Sequence, residues 1–261
     1  MSTPLSSYVL TFNSERRLHQ VLTAISAVAD EIVVIDSGST DNTLSIAESC
    51  GTRVLHRKFD NFRDQRIFAE DSCTHDWVLA LDSDEVLSDE LQSTIKALKE
   101  TDFFVPNQAP VDGFSIRYLW YFLGAQVSSF YPVRSPQYIV RLFRRSKISF
   151  RGSRIIHEAL QLDNAKIFIL NEPILHYSCD SIDGLYSKIG LYTKLSAEDM
   201  HANGVKATWI KIHIYPWLIW VRFYLLYGGW RDGENGRILG RYVRDTIYLK
   251  YLKLRHMSTS K

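Results

Sequence analysis

The stretch that most constrains this chain is Trp77-Val78-Leu79-Ala80-Leu81, an apolar run that stops at Asp82-Ser83-Asp84-Glu85. An uninterrupted apolar run of this length reads as a central strand covered on both faces. The acids then sit where the chain leaves the sheet, and in open α/β sheets ligands bind at the carboxyl ends of strands. Two carboxylates at i and i+2 repel each other unless something positive lies between them, and a divalent cation carrying phosphate oxygens meets that need. The plainer alternative is a solvated acidic turn that caps a helix beginning near Ser88.

The residues before this run repeat its pattern. Tyr8 to Phe12 reads as a first strand, with Ser14 as N-cap of a helix carrying Leu18, Val21, Leu22, Ile25 and Val28 at helical spacing. Glu31 to Ile35 is a second strand ending at Asp36, and Arg53 to His56 a third, with helices over Leu44 to Ala47 and Phe62 to Ser72. Alternating strands and helices with short connections predict a mainly parallel, doubly wound α/β sheet. Polar residues recur at one edge of it: Thr11 and Asn13, then Asp36 and Ser37, then Asp82 and Asp84. No G-x-G-x-x-G and no G-x-x-x-x-G-K-[ST] is present, so phosphate would be held through a cation rather than on a helix N-terminus. After a helix from Ser88 to Glu100 the alternation stops. Asp112 to Tyr118 and Tyr138 to Arg144 alternate with period two, Leu119 to Pro136 reads as an aromatic loop or lid, and Ile167 to Leu170 as a short strand before Ile174 to Tyr177.

Thr11-Phe12-Asn13, Val33 to Asp41, Leu81 to Glu85 and His157-Glu158 resemble, in that order, the motifs of family 2 glycosyltransferases with the GT-A fold. More narrowly, the layout from about residue 7 to 255 resembles the lipopolysaccharide inner-core β-1,4-glucosyltransferases that add glucose from UDP-glucose to a heptose. Gln65-Arg66-Ile67 departs from the Gln-Lys/Arg-Asn often found there, leaving Arg66 to face a phosphate. The resemblance implies a metal-dependent inverting transferase using Mg²⁺ or Mn²⁺. Asp84 is then the direct metal ligand, Asp82 a ribose or water-mediated partner, and His176 a second ligand, against the reading of His176 as a core histidine in an apolar strand. Glu158 takes the place of the catalytic base, with a surface ion pair to Arg151 or Arg154 as its duller role and Asp180 or Asp183 as substitutes. Thr11, Asn13, Glu15 and Asp36 are placed for uracil and ribose, while Ser39 to Asp41 read better as a turn and helix cap.

Charge divides the chain unevenly. From Val205 onward there are eleven Lys and Arg against three Asp and Glu, together with eleven aromatic residues, whereas the first 204 residues are net acidic. We therefore expect a catalytic domain over 1–204 and a basic, aromatic helical extension over 205–261. Thr208 to Tyr227 reads as an interfacial helix and Tyr242 to Arg255 as a second amphipathic one. The partners expected are a nucleotide sugar, a lipid-anchored saccharide and a membrane surface. Packing on the catalytic domain is the alternative for the tail, and nucleic acid is not expected without a recognised motif. Cys50, Cys73 and Cys179 lack C-x-x-C spacing and suit a reducing compartment. A polar Met1 to Ser7 with no leader expected suits a cytoplasmic protein, and the resemblance implies a peripheral place on the inner face of a bacterial inner membrane. Rival readings are transfer to another lipid-linked acceptor such as polyprenyl phosphate, a nucleotidyltransferase, and a non-catalytic saccharide-binding module.

Overall fold

The sheet is built around Leu5–Thr11 (β1), all seven of whose residues are buried. The structure, a computed structural model, describes residues 2–106, 110–130, 133–151, 164–187 and 189–259. Its first compact unit comprises Met1–Tyr118 and Tyr138–His176. There β1 leads through Glu15–Ser26 (α1) to Glu31–Asp36 (β2), then Thr43–Ser49 (α2), Arg53–His56 (β3), Phe62–Ser72 (α3) and Trp77–Asp82 (β4). Glu85–Leu87 (β5) and Asp89–Glu100 (α4) follow, and the unit is completed by most of Gly113–Phe122 (β6), Gln137–Arg144 (β10) and Ile167–Cys179 (β11). The strand order is β3-β2-β1-β4-β10-β6-β11-β5.

The parallel portion is β3-β2-β1-β4, as the alternating pattern predicts. β10 then runs antiparallel to β4, and β5 antiparallel to β11, so the sheet is mixed. Register decides which residues share its edge: Thr11 pairs with Asp36, and Leu10 with Asp82. α1 buries Leu18, Val21, Leu22 and Ile25, the face its spacing prescribes. Trp77 stacks on Phe103 with centroids 4.0 Å apart. Truncating a fully buried strand residue such as Leu79 costs about 2–5 kcal/mol.

Three local expectations change. Ser14 holds the N-cap position of α1, yet its hydroxyl makes no capping bond and instead meets Phe12 and Ser83. The stretch read as a loop from Leu119 continues β6 to Phe122, turns at Leu123 and Gly124, and returns as Ala125–Val127 (β7). Positive φ at both Leu123 (49°) and Gly124 (78°) gives that two-residue hairpin the twist its strands need. Ile167 to Tyr177 is not two short segments but part of the single strand β11.

The second unit holds Leu119–Gln137 and Tyr177–Lys261. The boundary expected between 204 and 205 thus falls inside it, because Ile182–Ser187 (α5) and Ile189–Ala202 (α6) belong with the tail. A small ribbon joins Ser129–Phe130 (β8) to Val133–Arg134 (β9). The predicted helix over 208–227 is broken into Trp209–His213 (α7) and Tyr215–Val221 (α8), followed by a π turn over Arg222–Leu226. Pro216, at the start of α8, has no N–H to continue α7 and fits the first helical turn. The last helix, Gly233–Thr259 (α9), is longer than its amphipathic pattern implied. Leu239, Val243, Ile247, Tyr251 and Leu254 of α9 form a core with Leu185, Ala197, Ile212, Ile219 and Phe223. Asp232 accepts from the backbone and hydroxyl of Ser128, and Asn235 donates to the Phe122 carbonyl, tying the start of α9 to the β6–β7 hairpin. A Cβ at Gly236 would lie 1.8 Å from the Gly229 carbonyl oxygen, so only glycine permits this approach.

Candidate active site

β4 ends at Asp82, and two turn residues later β5 begins. The Asp82 amide donates to Glu85 Oε2 (3.2 Å), closing the turn with its own side chain. Two buried guanidiniums hold the acids. Arg66 Nη2 donates to both Asp82 oxygens (2.8 and 3.0 Å), and Arg141 Nη2 reaches Asp82 Oδ2 (2.9 Å) and Glu85 Oε1 (2.5 Å). Arg141 also donates through Nε to the Tyr118 hydroxyl. Burial pushes the Asp82 carboxyl up, but Arg66 and Arg141 outweigh it and hold the group well below the usual carboxylate range. For Glu85 burial dominates, Asp82 adds to it, and the carboxyl is raised despite Arg141. Removing one member of such a network strands a buried charge, at about 3–5 kcal/mol.

Asp84 stands on the outer side of the same turn. Its side chain is 38% exposed, against 1% for Glu85. β11 runs antiparallel to β5 with His176 opposite Glu85, which brings His176 Nε2 to 3.4 Å from Asp84 Oδ2. Burial lowers the imidazole pKa and the Asp84 charge raises it, with a net upward shift. Asp84, Glu85 and His176 each offer a ligand atom within 4.8 Å of the others. This donor set fits a divalent ion. Two ligands at right angles and about 2.1 Å from an octahedral ion stand roughly 3.0 Å apart, close to the Asp84–His176 spacing. Glu85 has both oxygens engaged by Arg141 and the Asp82 amide, so Asp84 is the more accessible carboxylate of the set.

The neighbouring strand ends are stitched loop to loop. Thr11 Oγ1 donates to Asp36 Oδ1 (3.2 Å), while the Gly38 and Ser39 amides donate to Asp36 Oδ2 (2.8 and 3.0 Å). Burial would raise Asp36, but the Ser39 and Gly38 donors prevail and hold it low. Asn13 has φ +48° and accepts the Thr40 amide (2.8 Å), and Glu15 Oε2 accepts the Asn42 amide (3.0 Å) and side chain (2.8 Å). Asn13 and Glu15 therefore bind the loop after β1 to the loop after β2. The turn role expected for Ser39 to Asp41 is seen in Ser39 Oγ donating to Asp36 (2.5 Å) and the Thr43 amide donating to Asp41 (3.0 Å).

Of the residues singled out from sequence, Asp82, Asp84, His176 and Arg66 meet around one turn, and Thr11, Asn13, Glu15 and Asp36 line the adjoining strand ends. Glu158 lies outside the described residues. Arg141, Tyr118 and the Ser14–Ser83 hydroxyl pair (2.7 Å) were not singled out. Arg141 did leave a trace in the sequence: it shares a strand phase with the buried Phe143, where a cation needs a partner.

Residues 6–152 match the family model described as glycosyl transferase family 2. The chain is 30% identical to an "uncharacterized glycosyltransferase" of Rickettsia typhi, over 97% of this chain and 87% of that one. It is 26% identical to the lipopolysaccharide core biosynthesis glycosyltransferase LpsC of Rhizobium meliloti, over 90% of this chain and 86% of that protein. Among solved structures, glucosyl-3-phosphoglycerate synthase from Mycobacterium tuberculosis, in complex with Mn²⁺, UDP and glucosyl-3-phosphoglycerate, is 17% identical. It covers 78% of this chain and 81% of its own, with a TM-score of 0.46. The chain belongs to glycosyl transferase family 2 and is a glycosyltransferase with the GT-A fold.

Proposed function

We propose that the protein moves glucose from UDP-glucose to a heptose of the lipopolysaccharide inner core, with inversion at the anomeric carbon and with a divalent cation. The observation that carries this reading is the Asp84–His176 pair at the end of β4, held beside the charge-balanced Arg66–Asp82–Arg141–Glu85 network. LpsC, similar over most of its length, supports the choice of acceptor.

Asp84 and His176 would hold the cation, which supplies positive charge to the departing diphosphate oxygen. The chain's own residues do the rest. Arg66 and Arg141 fix the Asp82 carboxylate in one rotamer, so the turn is set before donor arrives. Thr11 and Asp36, locked by their hydrogen bonds, bound the nucleoside end together with the Asn13 and Glu15 stitches. Glu158 is assigned, from its match to the family's acidic position, to take the proton of the acceptor hydroxyl as its oxygen bonds to the anomeric carbon and the sugar–diphosphate bond breaks. Proton removal of this kind contributes about 10²–10⁴-fold. The acceptor is lipid-anchored, and the protein works peripherally on the inner face of a bacterial inner membrane. That placement is supported by the basic, aromatic composition of the second unit.

A thermal-shift series with UDP-, GDP- and dTDP-sugars, with and without Mn²⁺, tests the donor side, since a ligand stabilises the state that binds it. Asp84→Ala is expected to abolish the Mn²⁺-dependent shift given by UDP-glucose. Glu158→Gln should keep that shift and lose turnover. Undiminished transfer by both variants would refute the assignment.

A further inference from the structure

The segment from α7 to the π turn is apolar on two opposite sides. Ile212, Ile219 and Phe223 enter the core shared with α9. Trp209, Ile214, Trp217, Leu218, Leu225 and Leu226 point away from it and are exposed, Trp209 by 61% and Leu226 by 69%. Positions 214, 217, 218, 221 and 225 follow one helical face, so the exposure is a continuous stripe rather than scattered single residues. A stripe of this kind marks a surface that functions covered.

Charge indicates what covers it. From Val205 to Arg231 there is no Asp or Glu, while Lys206, Lys211, Arg222 and Arg231 stand among the apolar residues. Arg222 lies over the Tyr227 ring (5.1 Å) and Arg244 over Trp217 (4.9 Å), so cations and aromatic rings share the surface. A second copy of the chain would bring this cationic face against its own like. A bilayer interface takes both features at once, because aromatic and aliphatic side chains sit at the acyl boundary and cations among anionic headgroups.

We propose that the α7–α8 face seats in the headgroup layer of an anionic bilayer, with Trp217, Leu218, Leu225 and Leu226 at the acyl boundary and Lys211 and Arg222 on lipid phosphates. This deepens the membrane-facing part of the proposed function and rests on that part alone. Vesicle binding needs neither donor nor acceptor, so it separates from transfer: inactive protein that still binds vesicles would remove the transferase reading and keep this one.

The test is flotation of the full chain with phosphatidylcholine vesicles made with or without phosphatidylglycerol. The chain should float with the anionic vesicles and stay largely behind with the neutral ones. Combined Trp217→Ser, Leu218→Ser and Leu225→Ser should weaken binding about tenfold or more, or roughly 1.4 kcal/mol. Lys211→Glu with Arg222→Glu should remove the preference for anionic lipid. Thermal unfolding verifies that each variant is folded, and Leu218→Ser alone serves if the triple variant is not. Failure of the unaltered chain to float, flotation of the serine variant equal to it, or a dimer in solution dispersed by the same serines without any vesicle binding would each overturn the proposal.

Discussion

The end of β4 buries charge where apolar side chains are the rule, and the α7–α8 face exposes apolar side chains where charge is the rule. At β4, four ionisable groups share hydrogen bonds among themselves with Arg66, Arg141 and Glu85 almost out of water. At α7–α8, two tryptophans and several leucines and isoleucines meet solvent with only cations between them. The first inversion is paired charge against charge inside the protein, so its members cannot be removed singly. The second is left unsatisfied by the protein, so its members are available to something outside.

That contrast breaks most readily at Arg141. Arg141→Ala leaves Glu85 and Asp82 short of a buried donor and should cost about 3–5 kcal/mol of stability, read from urea unfolding. A loss below about 1 kcal/mol would mean that the network is not truly internal. Next comes Glu70, whose carboxyl accepts the Ser149 hydroxyl (3.0 Å) and is pushed by burial from an ordinary 4.5 to about 7. A folded pKa above the unfolded one means that the unfolded chain gives up its proton first. Stability should therefore fall as pH rises from about 4.5 through 7, by up to about 3 kcal/mol. Glu70→Gln should flatten that part of the stability-against-pH curve. The smallest effect belongs to the exposed face: Leu218→Ser should change unfolding free energy by no more than about 0.5 kcal/mol. A larger loss would show the stripe to be part of the core.

Much of the first unit can be read from sequence because local pattern and final partner agree there. The β1, β2 and β4 runs are largely apolar, they pair in parallel through β1, and their polar ends fall together by register. Asp84 and His176 could be named, but their adjacency depends on β11 pairing with β5, which no local pattern shows. Arg141 is harder still: its partners Tyr118, Asp82 and Glu85 arrive from three other strands. The second unit departs furthest from expectation because glycines hide its structure. Gly233, Gly236 and Gly240 have low helix propensity, yet they lie in α9, where Gly236 admits the Gly229 carbonyl and Gly240 the Trp220 ring.

The pairing of His176 opposite Glu85 has an arithmetical consequence. Side chains along a strand alternate between faces, so sliding β11 by one residue against β5 would carry the imidazole to the far side of the sheet, while sliding it by two would return it to the same side. Homologous chains that lengthen β11 near Pro173 should therefore gain or lose residues in even steps, and an odd step should be matched by a bulge that restores the count.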